Sequence, residues 1–141
     1  MKALILAAFL VLASSNVYLE ANELGGIGRV CQSNGGFNIT NFTVLPFPPV
    51  QCYPQTVTVT GTFTTAACPN LIHAHTVLNQ RTGTDQDISL PGTCYTAGQT
   101  ETITVNVDNV ICVLGSYQTL IYVNQLAPQK NLACWEYQYS F

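Results

Sequence analysis

Six cysteines in 141 residues constrain the fold of this chain more than any other feature of its sequence. An even number of cysteines in a small domain is typical of a protein that is stapled by disulfides in an oxidising compartment. Zinc binding is the alternative, but no C-x-x-C pair occurs, and that spacing is the usual mark of a structural zinc site. We therefore expect three disulfides among Cys31, Cys52, Cys68, Cys94, Cys112 and Cys134.

The chain begins MKALILAAFLVLASS, one lysine followed by an apolar run from Ala3 to Ala13. The run is too short to span a bilayer, and Ala13 and Ser15 are small residues of the kind that signal peptidases accept. This pattern predicts a signal peptide over 1–15, a lead-in over 16–30 and one domain over 31–141. We expect a secreted or lumenal product, located outside the cell or in a lysosome-like compartment.

Charged residues make up only 8% of the chain, and the formal net charge is −3. A nucleic-acid-binding protein needs a basic surface, so this composition argues against that class. It also provides no strong electrostatic attraction to anionic membranes. Because 48% of the residues are hydrophobic, we expect a packed core. We also expect the protein to be a monomer.

The segment TVTVTGTFTT, residues 56–65, alternates apolar residues with threonine, which is typical of a strand with one buried face. ETITVNVDNV, residues 101–110, repeats the pattern. Further strands are expected in LIHAHTVL, YQTLIYVNQL and NLACWEYQYSF, which are rich in β-branched and aromatic residues. The predicted fold is all-β, an immunoglobulin-like sandwich of two antiparallel sheets.

Nothing in the sequence demands catalysis. His73 and His75 share one face of a strand and would supply two metal ligands, but a third is not evident, so we predict no metal site. The carboxylates show no convergent pair, and no serine lies in a nucleophile-elbow pattern. The expectation is a protein that is not an enzyme and has no cofactor.

Two N-glycosylation sequons begin at Asn38 and Asn41. A spacing of three is expected to place these side chains on opposite faces of any strand. At most one of the two is therefore expected to be occupied.

The stretches NFTVLPFPPVQC, GTCYTAGQTETITV and ACWEYQ, in this order and spacing, resemble the ML (MD-2-related lipid-recognition) family. This family includes the secreted Niemann-Pick type C sterol carrier, phosphatidylglycerol/phosphatidylinositol transfer proteins and mite allergens. The resemblance covers residues 31–141. It implies a sandwich whose sheets separate around an apolar lipid cavity, and a disulfide between the first and last cysteines, Cys31–Cys134.

The other four cysteines depart from the family pattern, in which disulfides often close short local loops. Successive loops of a seven-stranded antiparallel sandwich alternate between its two ends. If a short strand lies near 87–90, Cys52 and Cys112 fall at one end, and Cys68 and Cys94 at the other. We expect the pairs Cys52–Cys112 and Cys68–Cys94.

The resemblance implies a secreted protein that binds lipids and transfers them between membranes, with transient contact with membrane surfaces. Phospholipids such as phosphatidylglycerol or phosphatidylinositol are favoured, because residues 79–94 are polar, lack aromatics and contain Arg81, a potential phosphate ligand. The alternatives are a sterol carrier, a secreted recognition module that binds a glycolipid or protein without transfer, or, least favoured, a secreted enzyme that uses the histidines.

Burying an acyl chain between the sheets needs only apolar surface. The side chains expected to face inward are equally well explained as ordinary core. Gly61, among them, would leave room for a ligand or mark a bulge. The candidate lining residues are Val57, Val59, Phe63, Ile103, Val105, Val107, Leu120 and Tyr122.

Overall fold

The computed structural model describes residues 27–32 and 34–141; the expected signal peptide and most of the expected lead-in lie outside this part. The described residues form eight strands. Their bounds are β1 Arg29–Gln32, β2 Phe37–Leu45, β3 Gln55–Phe63, β4 Leu71–Leu78, β5 Thr82–Ser89, β6 Thr100–Val107, β7 Ser116–Leu126 and β8 Gln129–Ser140. No helix of the described residues is long and apolar enough to cross a membrane.

The strands form two antiparallel sheets, which confirms the predicted all-β sandwich. One sheet has the order β1-β8-β7-β4-β5, and the other has the order β2-β3-β6. β5 and β6 are therefore edge strands of different sheets. The first strand begins at Arg29, two residues before the expected start of the domain. β5 is a full strand and extends further toward the N-terminus than the short strand expected near 87–90.

The threonine alternation of β3 and β6 produces one polar face and one buried face. β3 alternates strictly between buried and half-buried residues, and β6 alternates between buried and exposed ones over most of its length. Across the outer face, threonine hydroxyls of the two strands pair at 2.9 to 3.1 Å. Since a period of two places apolar side chains on one face only, these strands contribute their inner faces to the core.

The three disulfides join the pairs expected from the sequence. Cys31–Cys134 fastens β1 to β8, Cys52–Cys112 joins the β2–β3 and β6–β7 loops, and Cys68–Cys94 joins the β3–β4 and β5–β6 loops. The last two pairs lie at opposite ends of the sandwich, because consecutive antiparallel strands alternate the ends at which their loops lie. Three disulfides fit an oxidising, secreted or lumenal environment.

The expectation that the two sequons lie on opposite faces is wrong. Asn38 pairs with Thr62 and Asn41 with Thr60, and the pairing register shifts between Ile39 and Asn41. A β-bulge of this kind inserts one extra residue into a strand and resets its alternation. Asn38 and Asn41 are consequently both exposed on the outer face of the three-stranded sheet.

Candidate functional site

Six of the eight candidate lining residues come together on the inner face of the three-stranded sheet. They are all buried, and the facing pairs Val57–Val105 and Val59–Ile103 lie side by side on β3 and β6. Their relative exposure rises toward the sheet edge, from 0–1% on β3 to 8% at Ile103 and Val105 of β6. The apolar surface nearest to solvent is therefore at the β6 edge. The six are Val57, Val59, Phe63, Ile103, Val105 and Val107.

The structure places the other two candidates on the opposite face of the five-stranded sheet. Leu120 and Tyr122 alternate with the inward-facing residues of β7 and are half-buried on its outer face. Tyr122 lies beside His73 there, with ring centroids 5.8 Å apart. β7 is apolar on both faces, so its sequence does not indicate which set faces the core. Its inward side chains are Tyr117, Thr119, Ile121 and Val123.

Between β2 and β8 the sandwich is filled by aromatic side chains. The rings of Phe42 and Trp135 stack at 5.0 Å, and Tyr137 packs against Phe42 at 5.7 Å. Among the described strands, β2 and β8 are also where the backbones of the two sheets approach each other most closely. This side of the sandwich is its narrow, close-packed side, so any apolar ligand space belongs to the opposite side.

A buried hydrogen-bond chain crosses this packed region. The Tyr137 hydroxyl donates to Gln55 Oε1 at 2.6 Å, and Gln55 Nε2 donates to the Tyr139 hydroxyl at 3.1 Å. Burial raises the pKa of both phenols, so they stay protonated over the neutral range. The burial of Gln55 cannot be predicted from the sequence, because a polar residue at the start of a strand gives no signal of burial.

The space that Gly61 opens is occupied by a side chain of the protein itself. A Cβ on Gly61 would lie 2.7 Å from Cζ of Phe37, whose ring packs on Phe63 with centroids 4.7 Å apart. Gly61 also faces Ile39 at the β2 bulge. Of the two expectations for this glycine, the bulge therefore applies, and the room it leaves is used for close packing of Phe37.

The opposite side of the sandwich is bounded by β5 and β6, which are not paired with each other. Half-buried apolar residues line this side, among them Ile88, Leu90 and Tyr95. At one end the backbone N–H of Asp108 donates to Gln86 Oε1 at 2.9 Å and links the two edges. At the other end the Ala67–Tyr95 bridge and the Cys68–Cys94 disulfide close the loops. We call the gap between these closures the β5–β6 slot.

A pocket of about 290 Å³ lies at the edge of the β5–β6 slot. Of the eight candidate residues, it includes only Ile103, together with Leu90, Pro91, Tyr95 and others. The Tyr95 ring stacks on Phe63 at 4.6 Å, which connects the pocket to the core. Partial burial and the nearby Glu101 carboxylate raise the pKa of the Tyr95 hydroxyl, which stays a neutral hydrogen-bonding group.

The two histidines lie away from this slot, on the outer face of β4. His73 Nδ1 is 2.7 Å from Asp87 Oδ1, and His75 Nδ1 is 2.6 Å from Asp85 Oδ1. The hydrogen bond with His75 is the main cause that lowers the pKa of Asp85. Among the described residues, no group of three or more histidine, cysteine, aspartate or glutamate side chains is arranged to hold a metal ion. The cross-strand pairs therefore act as polar contacts between β4 and β5.

Arg81 lies in the β4–β5 turn, where its backbone N–H donates to the Leu78 carbonyl at 3.0 Å. Its side chain is exposed. A second pocket, of about 310 Å³, is near this turn and has several amide side chains, including Asn79 and Gln118. Neither the arginine nor this pocket belongs to the β5–β6 slot.

Comparison with known proteins adds no relative: no family model and no curated protein matches this chain.

Proposed function

We propose that this protein is a secreted lipid-binding protein that carries a phospholipid between membranes, with an acyl chain held between its two sheets. The observation that supports this proposal best is the β5–β6 slot. It is an opening between unpaired sheet edges, and apolar side chains, among them Ile88, Leu90 and Ile103, lie behind it. A hydrocarbon chain that enters there would leave water without requiring any charged or catalytic group, at roughly 0.8 kcal/mol per CH₂ buried.

The packing of the sandwich supports a ligand site on the β5–β6 side. The aromatic residues of β2 and β8 hold the sheets together on the far side, where Trp135 and Phe42 are almost completely buried. Ile103 and Val105 would instead contact the ligand, since they are the buried residues nearest to the slot. Separating the sheets at the β5–β6 side would break no backbone ladder, because no strand pairing joins them.

The resemblance of residues 31–141 to ML proteins is the second support. It favours a phosphatidylglycerol- or phosphatidylinositol-type cargo over a sterol, since residues 79–94 lack aromatics. Export through the expected signal peptide of residues 1–15 would expose the protein to such lipids outside the cell or in a lysosome-like compartment.

The first test is native mass spectrometry of the secreted protein, followed by organic extraction and identification of the lipid. A stoichiometric phospholipid would support the proposal, and a stoichiometric sterol would select the sterol carrier. Protein without bound lipid that also takes up no offered phospholipid or sterol would contradict the proposal and favour the recognition module.

A matched pair of variants tests the slot directly. Ile103→Trp places a larger side chain behind the slot and is expected to abolish uptake of a fluorescent phospholipid. Asn106→Trp places the same side chain on the exposed outer face of β6, outside the lining of the pocket at the slot, and should leave uptake unchanged. Both proteins are compared by thermal unfolding, so that lost uptake is interpreted only for a folded variant. Equal uptake by the two variants would locate the ligand elsewhere.

A further inference from the structure

Most of the large hydrophobic side chains that are exposed in the described residues gather at one end of the sandwich. Seven of nine lie at the end of β2, in the β2–β3 loop or in the β6–β7 loop. Leu114 is 73% exposed, and Leu45 is 65% exposed. We call this set the apolar tip. Its members are Leu45, Phe47, Val50, Tyr53, Val110, Val113 and Leu114.

The two loops of the apolar tip are fastened to each other. The Cys52–Cys112 disulfide joins them, and Gln51 Nε2 donates to the Cys112 carbonyl at 3.0 Å. Behind them, the Tyr117 hydroxyl donates to the Ile111 carbonyl at 2.9 Å. Prolines at 46, 48 and 49 further restrict the backbone of the β2–β3 loop. The hydrophobic side chains thus lie on loops whose backbone is already restricted. Little conformational entropy would be lost when they contact a partner.

The shape and charge of the apolar tip favour a lipid surface as that partner. None of its seven side chains lines either of the two pockets described above, the kind of place where a partner protein would bury an anchoring side chain. It carries no charged side chain. The nearest carboxylate in the sequence, that of Asp108, is 3.4 Å from the Gln86 amide, which holds it toward β5. Tyr53 and Phe47 are aromatic residues of the kind that settle at a membrane interface.

We propose that the apolar tip inserts into the surface of a bilayer with zwitterionic headgroups and orients the protein there. This inference rests on the proposed function, because a lipid carrier must reach the membrane from which it extracts its cargo. Attachment is hydrophobic and not electrostatic, since the tip lacks basic residues. Binding should therefore change little between low and physiological salt.

The test is flotation of the full mature protein, disulfides intact, with phosphatidylcholine vesicles. Wild-type protein should float with the vesicles. Leu114→Asp should reduce the bound fraction about tenfold or more, because one inserted leucine is replaced by a charge. Leu126→Asp is the matched control: Leu126 is 53% exposed but lies at the opposite end, where β7 ends, and this variant should bind as wild type.

Three results would overturn the inference. Wild-type protein that stays with the unbound fraction would show that no membrane insertion occurs. An equal loss in Leu126→Asp would show that the effect does not belong to the tip. A wild-type dimer in sedimentation analysis that Leu114→Asp converts to monomer would show that a second copy covers the tip.

A separate readout distinguishes failure of the tip from failure of lipid binding. A short-chain phospholipid presented as monomers needs no membrane contact, so Leu114→Asp should still bind it as wild type does. Vesicle binding without any uptake of monomeric lipid would contradict the proposed function. It would still support membrane insertion of the apolar tip.

Discussion

Gln55 shows how a single polar residue is accommodated inside an otherwise apolar region. It is 2% exposed, and its amide lies between the hydroxyls of Tyr137 and Tyr139. Because burial raises the pKa of Tyr137, that hydroxyl keeps the proton it donates to the glutamine. Both polar atoms of the Gln55 amide have a partner, so the penalty for leaving water is offset. These two hydrogen bonds connect Gln55, the first residue of β3, to β8 across the core.

Tyr137→Phe should lower the free energy of unfolding by about 1–3 kcal/mol, because it leaves Gln55 Oε1 buried without its donor. Urea unfolding of the oxidised protein measures the change. Tyr53→Phe is the control, since its ring is 64% exposed and its hydroxyl can hydrogen bond to solvent, and it should have no effect. Similar small changes in both variants would show that the Tyr137–Gln55 bond contributes nothing net.

At the level of the strands, prediction from sequence depended on whether apolar residues occupy one face or two. β3 and β6 alternate cleanly, so six inward side chains could be assigned before the structure was known. β7 is the central strand of the five-stranded sheet, and its outer face is half-buried beside β4 and β8. Leu120 and Tyr122 are apolar for that reason, and no pattern within the strand distinguishes them from the inward Ile121 and Val123.

The β2 bulge also changes the prediction for glycosylation. Because Asn38 and Asn41 are both exposed on one face, the fold can accept a glycan at each position. In a eukaryotic secretory host, wild-type protein should carry two glycans, and Asn38→Gln and Asn41→Gln should each carry one. Glycosidase treatment followed by intact mass measures this. A wild-type protein with a single glycan would contradict the prediction and show that the neighbouring sites compete.

At the scale of the whole molecule, the alternation of antiparallel loops predicts two of the three disulfides, Cys52–Cys112 and Cys68–Cys94, whereas Cys31–Cys134 was expected only from the resemblance. The assignment of strands to the two sheets was not accessible, since it depends on packing between distant segments. The apolar tip illustrates the same limit. Its two loops lie near 45–53 and 110–114. They become one surface only when Cys52 and Cys112, which are 60 residues apart, meet. Single exposed leucines or valines in a sequence carry no such information.

Each disulfide should stabilise the whole molecule by an amount that increases with the logarithm of the number of residues in the loop it closes. Cys31 and Cys134 are 103 residues apart, and Cys68 and Cys94 are 26 apart. Replacing the first pair by alanines should lower the free energy of unfolding by about 4.7 kcal/mol, and replacing the second pair by about 3.5 kcal/mol. Denaturant titration at equal pH measures both losses. A larger loss for the shorter loop would contradict this order, and would mean that local packing of the β3–β4 and β5–β6 loops outweighs the entropy of the unfolded chain.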